Sequence, residues 1–442
     1  HFELSGRLSQ INSDGYIDRA TSALKSYFLQ GAYVNNGTLI KALAFGGHEI
    51  TYQAWNGIDT ATLISNREFN PSGMYTDESG ATRFHEDEVD NYKQDHYQLH
   101  WNERYNNNWS TNLGLNYTYG RGYFEQYKED ESFDEYGLTE ITIGSETIDE
   151  TDLIRRRWLD NNFYVINAGA NYKKNVLDMN FGLSYSSYIG DHFGEIIWAR
   201  FARDSEIGDN YYNGQGKKKD FSLFTKATYR LNDKVSLYGD LQMRFVNYKT
   251  TGLTSDRINL LVDEHYDFFN PKAGITYEFD SKNNLYFSYA RANREPSRSD
   301  FESNRNIKPE QLNDFELGWR HNNKKLRISV NAYYMLYNEQ LVLTGAIDNT
   351  GTPIRTNSGE SYRLGLEVDV AIQISNQFAI QPNFTLSSNK NRETFFQKDG
   401  VLENLGKTNL SFSPELVAAN ALIFSPSSNF QMSFLSKYVG EQ

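Results

Sequence analysis

Rigid aromatic side chains gather in the long segments of this chain that lie between its alternating runs. Trp55, Tyr123, Trp198, Tyr211 and Tyr212 are the main ones, with Tyr52, Phe124, Tyr127, Phe193 and Phe201 close by in sequence. Flat aromatic surface captures planar or hydrophobic ligands with little loss of rotamer freedom. The same residues also serve loop-on-loop packing and a belt at the membrane headgroups, and both readings stay open. Arg294, Arg298 and Asp300 place opposite charges at the mouth of another long segment. They either contact a ligand or pair with one another as a structural cluster. Residues 121–158 hold Glu125, Glu129, Asp130, Glu131, Asp134 and Glu135. Carboxylates at this density suit Ca²⁺, but the spacing does not match a calcium loop, and a solvated acidic loop is the plainer expectation.

Histidine bears on haem, whose iron takes neutral imidazole as an axial ligand. His48, His85, His192 and His265 fall in or near the long segments, and His96 and His100 on a polar strand face, with no ligand pair standing out. There is no G-x-S-x-G elbow, no H-E-x-x-H and no P-loop. Cysteine is absent, which removes disulfides, thiol catalysis and Cys-based metal sites. No catalytic residue, metal site or cofactor is assigned, and an enzyme is not expected.

Strict alternation identifies the elements that must position these groups. Leu326, Ile328, Val330, Ala332, Tyr334 and Leu336 are apolar, with Arg327, Ser329 and Asn331 between them. The pattern returns from Tyr362 to Ile374, with Arg363, Glu367 and Asp369 interleaved, and again from Phe378 to Leu386 after Ser375-Asn376-Gln377. Period-two alternation means strands with one apolar and one polar face. These runs last roughly ten to thirteen residues, whereas a soluble strand has about five or six and a tilted strand crossing a bilayer needs about nine to eleven. Apolar outside and charged inside is the pattern of a transmembrane β-barrel. Pro382 sits in an apolar slot and marks a bulge or a strand end.

Composition agrees. Hydrophobic residues are 38%, aromatic residues 15%, with 31 Tyr and 28 Phe, and mean hydropathy is −0.67. A barrel explains both figures, since half of each strand is polar and aromatic girdles mark the two interfaces. No run of about eighteen apolar residues supplies a transmembrane helix. A net charge of −13 argues against nucleic acid as a partner. Both ends fall in or beside strands, so the chain is expected to be a partial one.

Short polar turns alternate with long segments. The turns include Val34-Asn35-Asn36-Gly37, Lys173-Lys174-Asn175 and His321-Asn322-Asn323-Lys324. The long segments span 10–21, 49–92, 121–158, 188–217, 249–264, 294–312, 338–358 and 390–409. Short turns at one rim and long loops at the other describe a bacterial outer-membrane barrel. The count is about seventeen strands, and bacterial barrels have even numbers, so strands outside the chain are expected.

The stretch Asn270-Pro271-Lys272-Ala273-Gly274-Ile275-Thr276-Tyr277, then Tyr289 to Asp300 and Ile307 to Gly318, resembles TonB-dependent receptors. So do Tyr337 to Leu343, Pro353-Ile354-Arg355-Thr356-Asn357 and the terminal Ser436-Lys437-Tyr438-Val439-Gly440-Glu441-Gln442. The resemblance is closest to receptors from the Bacteroidetes and is most specific over 265–442. It implies an all-β, antiparallel barrel of twenty-two strands in the outer membrane of a Gram-negative bacterium. It also implies a plug that occludes the barrel and is pulled by TonB, and import of a scarce nutrient such as a ferric siderophore, haem or cobalamin. Residues 1–442 read as one barrel domain with no segment matching the plug or the TonB box. Arg294, Arg298 and Asp300 fall on the matching segment, as plug or ligand contacts or as a rim cluster. The expected function is import of a ferric siderophore or other metal complex, with outer-membrane lipids, TonB and a possible surface lipoprotein as partners. The alternative is a passive porin or structural barrel.

Overall fold

The computed structural model describes residues 1–202, 205–347, 353–398 and 401–441. Its strands form an 18-stranded antiparallel sheet and three further two-stranded ribbons. Three short helices, Thr60–Ser65, Phe133–Tyr136 and Arg298–Ser303, interrupt the connections. Among the described residues no helix is long and apolar enough to cross a membrane. The chain divides into two compact units, His1–Ala170 with Leu183–Phe221 and Val246–His265, and Asn171–Gly182 with Ser222–Phe245 and Tyr266–Gln442.

In the first unit the strands Phe2–Ser13, Ser22–Asn35, Thr38–Tyr52, Val89–Arg104 and Trp109–Ser132 pair in succession. The turn between Ser22–Asn35 and Thr38–Tyr52 closes through Asn36 at φ 43°, a left-handed geometry that Asn tolerates. Ile40, Trp101 and Leu113 occupy one row, and Ala44, Tyr97 and Tyr117 another, all on the apolar face. Tyr164 stacks on Tyr117 at 4.8 Å, so aromatic rings edge the apolar band, as at a membrane interface. The polar face carries His96, whose Nδ1 bonds the Thr118 hydroxyl at 2.9 Å, and Gln98, which donates to Asn116 at 3.1 Å. His96 and His100 thus lie on the polar face, bonded to neighbouring amides and hydroxyls.

The second unit shows the alternation most plainly. Phe287, Leu317, Ala332, Leu366, Leu386 and Leu416 form one continuous row across six strands. Leu386 is 57% exposed and Leu317 50%. So much exposed apolar surface in register needs a hydrocarbon solvent. On the polar face Tyr286, Gly318, Asn331, Glu367 and Thr385 make the matching row. The Tyr286 ring lies over Gly318, where a Cβ would meet it at 2.3 Å, and its hydroxyl reaches Asn331 at 3.0 Å.

The structure departs from the sequence reading in three places. The long segments are shorter than expected, because the strands run on. Trp109–Ser132 has 24 residues, Glu150–Lys174 25 and Leu177–Ala199 23. A bilayer needs about nine to eleven, and strands beyond it have water or loops on both faces, so the alternation that betrays them fades. Residues 390–409 are mostly a hairpin, Phe378–Lys398 against Val401–Asn409, which supplies the eighteenth strand. Residues 399–400, and 348–352 of the segment 338–358, lie outside the described residues. Pro382 marks neither a bulge nor a strand end. Its strand continues to Lys398, paired without a shift from Phe378↔Phe424 to Leu386↔Leu416.

Candidate functional site

Alternation in the strand Glu150–Lys174 divides a run of three arginines. Arg155 and Arg157 share one face and are 9% and 8% exposed; Arg156 points to the other. Arg155 donates from Nη1 to the Tyr136 hydroxyl at 2.7 Å and from Nη2 to Gln126 Oε1 at 2.8 Å. Tyr136 in turn donates to Glu131 at 2.6 Å. Burial pushes the Tyr136 phenol up, and the Glu131 carboxylate adds to that against the opposing pull of Arg155, so the phenol stays neutral. Arg157 donates from Nε to the Tyr211 hydroxyl at 3.2 Å and lies 5.8 Å from the Phe124 ring centroid. Tyr136, Leu153, Ile196, Tyr211 and Tyr212 close over the pair as a buried apolar cluster. Tyr211 packs on Tyr136 at 4.7 Å and on Tyr212 at 4.9 Å.

The opposite face is structural. Arg156 holds Glu125 Oε2 at 2.7 Å, and His85 meets Oε1 at 2.9 Å. Tyr123 lies under the Arg156 guanidinium at 4.4 Å and packs on Trp158 at 4.6 Å. Trp158 also donates to Glu195 at 2.8 Å. Glu125 is 3% exposed, so for this carboxylate the expected solvated acidic loop is corrected: residues 121–132 continue a strand, and Glu125 is buried against Arg156 and His85, while Glu129, Asp130, Asp134 and Glu135 stay exposed. Among the described residues no group of three or more His, Asp or Glu could hold a metal ion.

Trp55 is 59% exposed and meets Phe124 edge-on at 6.1 Å. Trp198, 42% exposed, stacks at 6.0 Å on Tyr127, whose hydroxyl donates to Asp152. Trp55, Tyr211 and Tyr212 therefore gather around the Arg155–Arg157 face, while Tyr123 sits on the other. The sequence reading passed over Arg155, Arg157 and Tyr136. The signal was present in two arginines spaced by two, but it fell inside a segment taken as loop.

In the second unit the charged trio joins two segments of chain. Arg294 ends the strand Asn283–Arg294 and reaches Glu310 at 3.2 Å. Arg298 opens the helix Arg298–Ser303 and pairs with Glu302 one turn on at 2.8 Å, with its Nη1 buried and unpartnered. Asp300 is 2% exposed. Its Oδ2 accepts from the Ser297 amide at 2.7 Å and hydroxyl at 2.8 Å, the reciprocal half of a helix-capping box. Its Oδ1 accepts from Arg355 Nε at 3.0 Å. Lys308 binds Glu339 at 2.6 Å, and Asn357 bridges the Lys308 and Glu339 carbonyls.

A sequence model of the family described as TonB dependent receptor-like, beta-barrel, matches residues 32–440. The chain belongs to this family. Family members are multi-pass outer-membrane proteins of Gram-negative bacteria, and they are transporters rather than enzymes. No curated protein sequence matches the chain. Among solved structures it is similar to the ferric-catecholate import receptor Fiu from E. coli K12 in its closed form. The TM-score is 0.63 at 13% identity, covering 99% of this chain and 67% of that one. It is similar to the siderophore receptor PiuA from Acinetobacter baumannii, with TM-score 0.64, 12% identity and coverage of 99% and 67%. The copper transporter OprC gives TM-score 0.67 at 13% identity, with coverage of 99% and 62%. At these identities the likeness is one of fold. The TonB-dependent barrel described here spans 62–67% of the length of those three proteins. The narrower likeness to Bacteroidetes receptors has no support among them.

Proposed function

We propose that this TonB-dependent receptor barrel imports a scarce nutrient across the outer membrane, and that the nutrient is a ferric siderophore or related metal complex. The observation that carries the reading is the cluster of Tyr136, Tyr211, Tyr212, Phe124 and Trp55 around two buried arginines on the polar face. Large chelates with flat ligand arms need rigid aromatic walls together with fixed charge. The similar fold of Fiu and PiuA, a ferric-catecholate and a siderophore receptor, supports an iron chelate, and that of the copper transporter OprC keeps other metal complexes within the reading. In this reading TonB acts through a plug domain outside the chain, lipids cover the apolar face, and a surface lipoprotein assists capture. Trp55, Tyr211 and Tyr212 contact the ligand, Tyr123 and Trp198 brace the wall behind them, and Arg294, Arg298 and Asp300 hold a loop junction beside the plug. The test is native mass spectrometry of the full-length receptor in detergent against ferric siderophores, haem, cobalamin and short oligosaccharides. Tight binding of one ferric chelate class supports the reading. Binding of oligosaccharide alone, or an open conductance in planar bilayers, would replace it with another cargo or with a passive pore.

A further inference from the structure

The chemistry around Arg155 and Arg157 is unbalanced. Neither guanidinium forms an ion pair among the described residues; both rest on phenols and an amide. The Arg155 Nε is fully buried with no hydrogen-bond partner among the described residues. Arg157 uses its Nε alone, so its two terminal nitrogens, carrying four N–H donors, have no partner among the described residues. Two more cations stand close. Arg257 donates to the Tyr211 carbonyl at 2.9 Å, and Lys128 faces Glu131 at 3.7 Å. The carboxylates facing this group are Glu131, already engaged by Tyr136, and Glu88, whose burial raises its pKa and weakens its hold on a charge. Among the described residues four basic side chains therefore face two carboxylates, with Lys128 drawn toward its neutral form by burial and by Arg155 beside it. Buried charge without a counter-charge is strongly disfavoured, and buried charges are normally paired, so an anion brought to this face would meet an unmet demand.

From this geometry we propose that Arg157, braced by Tyr211 and Phe124 and flanked by Arg155, is an oxyanion site that takes a carboxylate of the imported chelate. The planar guanidinium offers two parallel N–H donors that match the two oxygens of a carboxylate, which a lysine ammonium cannot do. Tyr211 fixes the Nε side of the fork, leaving the opposite edge for the ligand, and the Phe124 ring favours a cation at its face. The selected cargo is then an anionic metal chelate with free carboxylate oxygens, rather than a neutral chelate or a bare cation. The identity of the cargo rests on the import reading; the anion site does not.

The experiment uses the full-length receptor in detergent, with citrate as the probe, in wild-type, Arg157→Gln and Arg157→Lys forms. Heat-modifiability on gels establishes that each form is a folded barrel. Calorimetry should show citrate binding to the wild type and weakening of about tenfold or more in Arg157→Gln, from the loss of the charged two-bond fork. Arg157→Lys should fall between, since it keeps the charge without the fork. Absence of citrate binding to the wild type, or equal affinity in a folded Arg157→Gln, overturns the site. A second arm measures uptake of ferric citrate and of a neutral ferric trihydroxamate by cells producing each form. Selective loss of ferric citrate uptake in Arg157→Gln supports the proposal. Equal uptake of both chelates by wild type and Arg157→Gln refutes the anion site and leaves import standing. Citrate binding lost in Arg157→Gln, with neither chelate taken up, supports the anion site and refutes import of these chelates.

Discussion

Replacing Asp300 by alanine removes a carboxylate that ties two loop segments together. Its Oδ2 holds the Ser297 amide and hydroxyl, and its Oδ1 holds Arg355, all at 3.0 Å or less. Loss of the cap alone costs about 1 kcal/mol. Loss of a charge-assisted bond to a buried partner costs about 1.5–3 kcal/mol. Arg355 keeps 27% of its side-chain surface in water, so the lower half of that range applies. Together the local opening of 297–310 and 353–357 becomes easier by about 2.5–3 kcal/mol, or about 60- to 150-fold. Hydrogen exchange followed by mass spectrometry reads this directly, because loop amides exchange through local opening. Asp300→Ala should speed exchange in both segments while amides of the strand Leu326–Asn338 stay protected. Asp300→Asn keeps an acceptor toward Arg355 and should change exchange less. Exchange within about twofold of wild type in Asp300→Ala would show that the ion pair does not hold these segments.

Other outcomes follow from the two faces and from one buried acid. Leu366→Arg puts a charge between Ala332 and Leu386 on the apolar row and should cost about 2–4 kcal/mol near the bilayer midplane. Gln373→Arg, on the polar face at a turn, should be tolerated, and equal assembly defects by heat-modifiability would reverse the face assignment. Glu88 accepts the Tyr127 amide at 2.9 Å, yet burial raises its pKa. A raised carboxyl binds more protons folded than unfolded, so its contribution is present at low pH and lost as pH rises through the raised value. Exchange of residues 85–89, corrected for intrinsic rate, should therefore quicken in wild type as pH rises above the ordinary carboxylate range, and that pH dependence should flatten in Glu88→Gln. Asp77, on the same connection, is held below the usual carboxylate range by Ser79, Arg83 and the Ala81 amide. Its contribution is present at these pH values and fades only as pH falls toward the acid range, so the two effects separate.

How legible the molecule was in its sequence depended on what surrounds each strand. From Leu326 to Leu386 one face meets lipid and the other a polar interior, so every second residue was constrained and the register rows match the alternation. Above the membrane the strands Trp109–Ser132 and Glu150–Lys174 lose that constraint. Gly120, Gly122, Arg155 and Arg156 there answer to neighbouring side chains, not to a solvent, so the run looked like loop. The candidate site suffered for the same reason. Trp55, Tyr211 and Tyr212 were visible as aromatics, but Arg155, Arg157 and Tyr136 join them only through strand pairing and the helix Phe133–Tyr136. Asp300 was visible as a charge; its partner Arg355, 55 residues away, was not.

Energised import is the claim on which the rest depends. Cells producing the full-length receptor, with and without TonB, should be assayed for uptake of ferric chelates across the panel that the purified receptor binds. Uptake of at least one chelate that stops when TonB is removed or the proton gradient is collapsed is the predicted result. Uptake that continues unchanged without TonB would contradict it, and would make the barrel a passive pore.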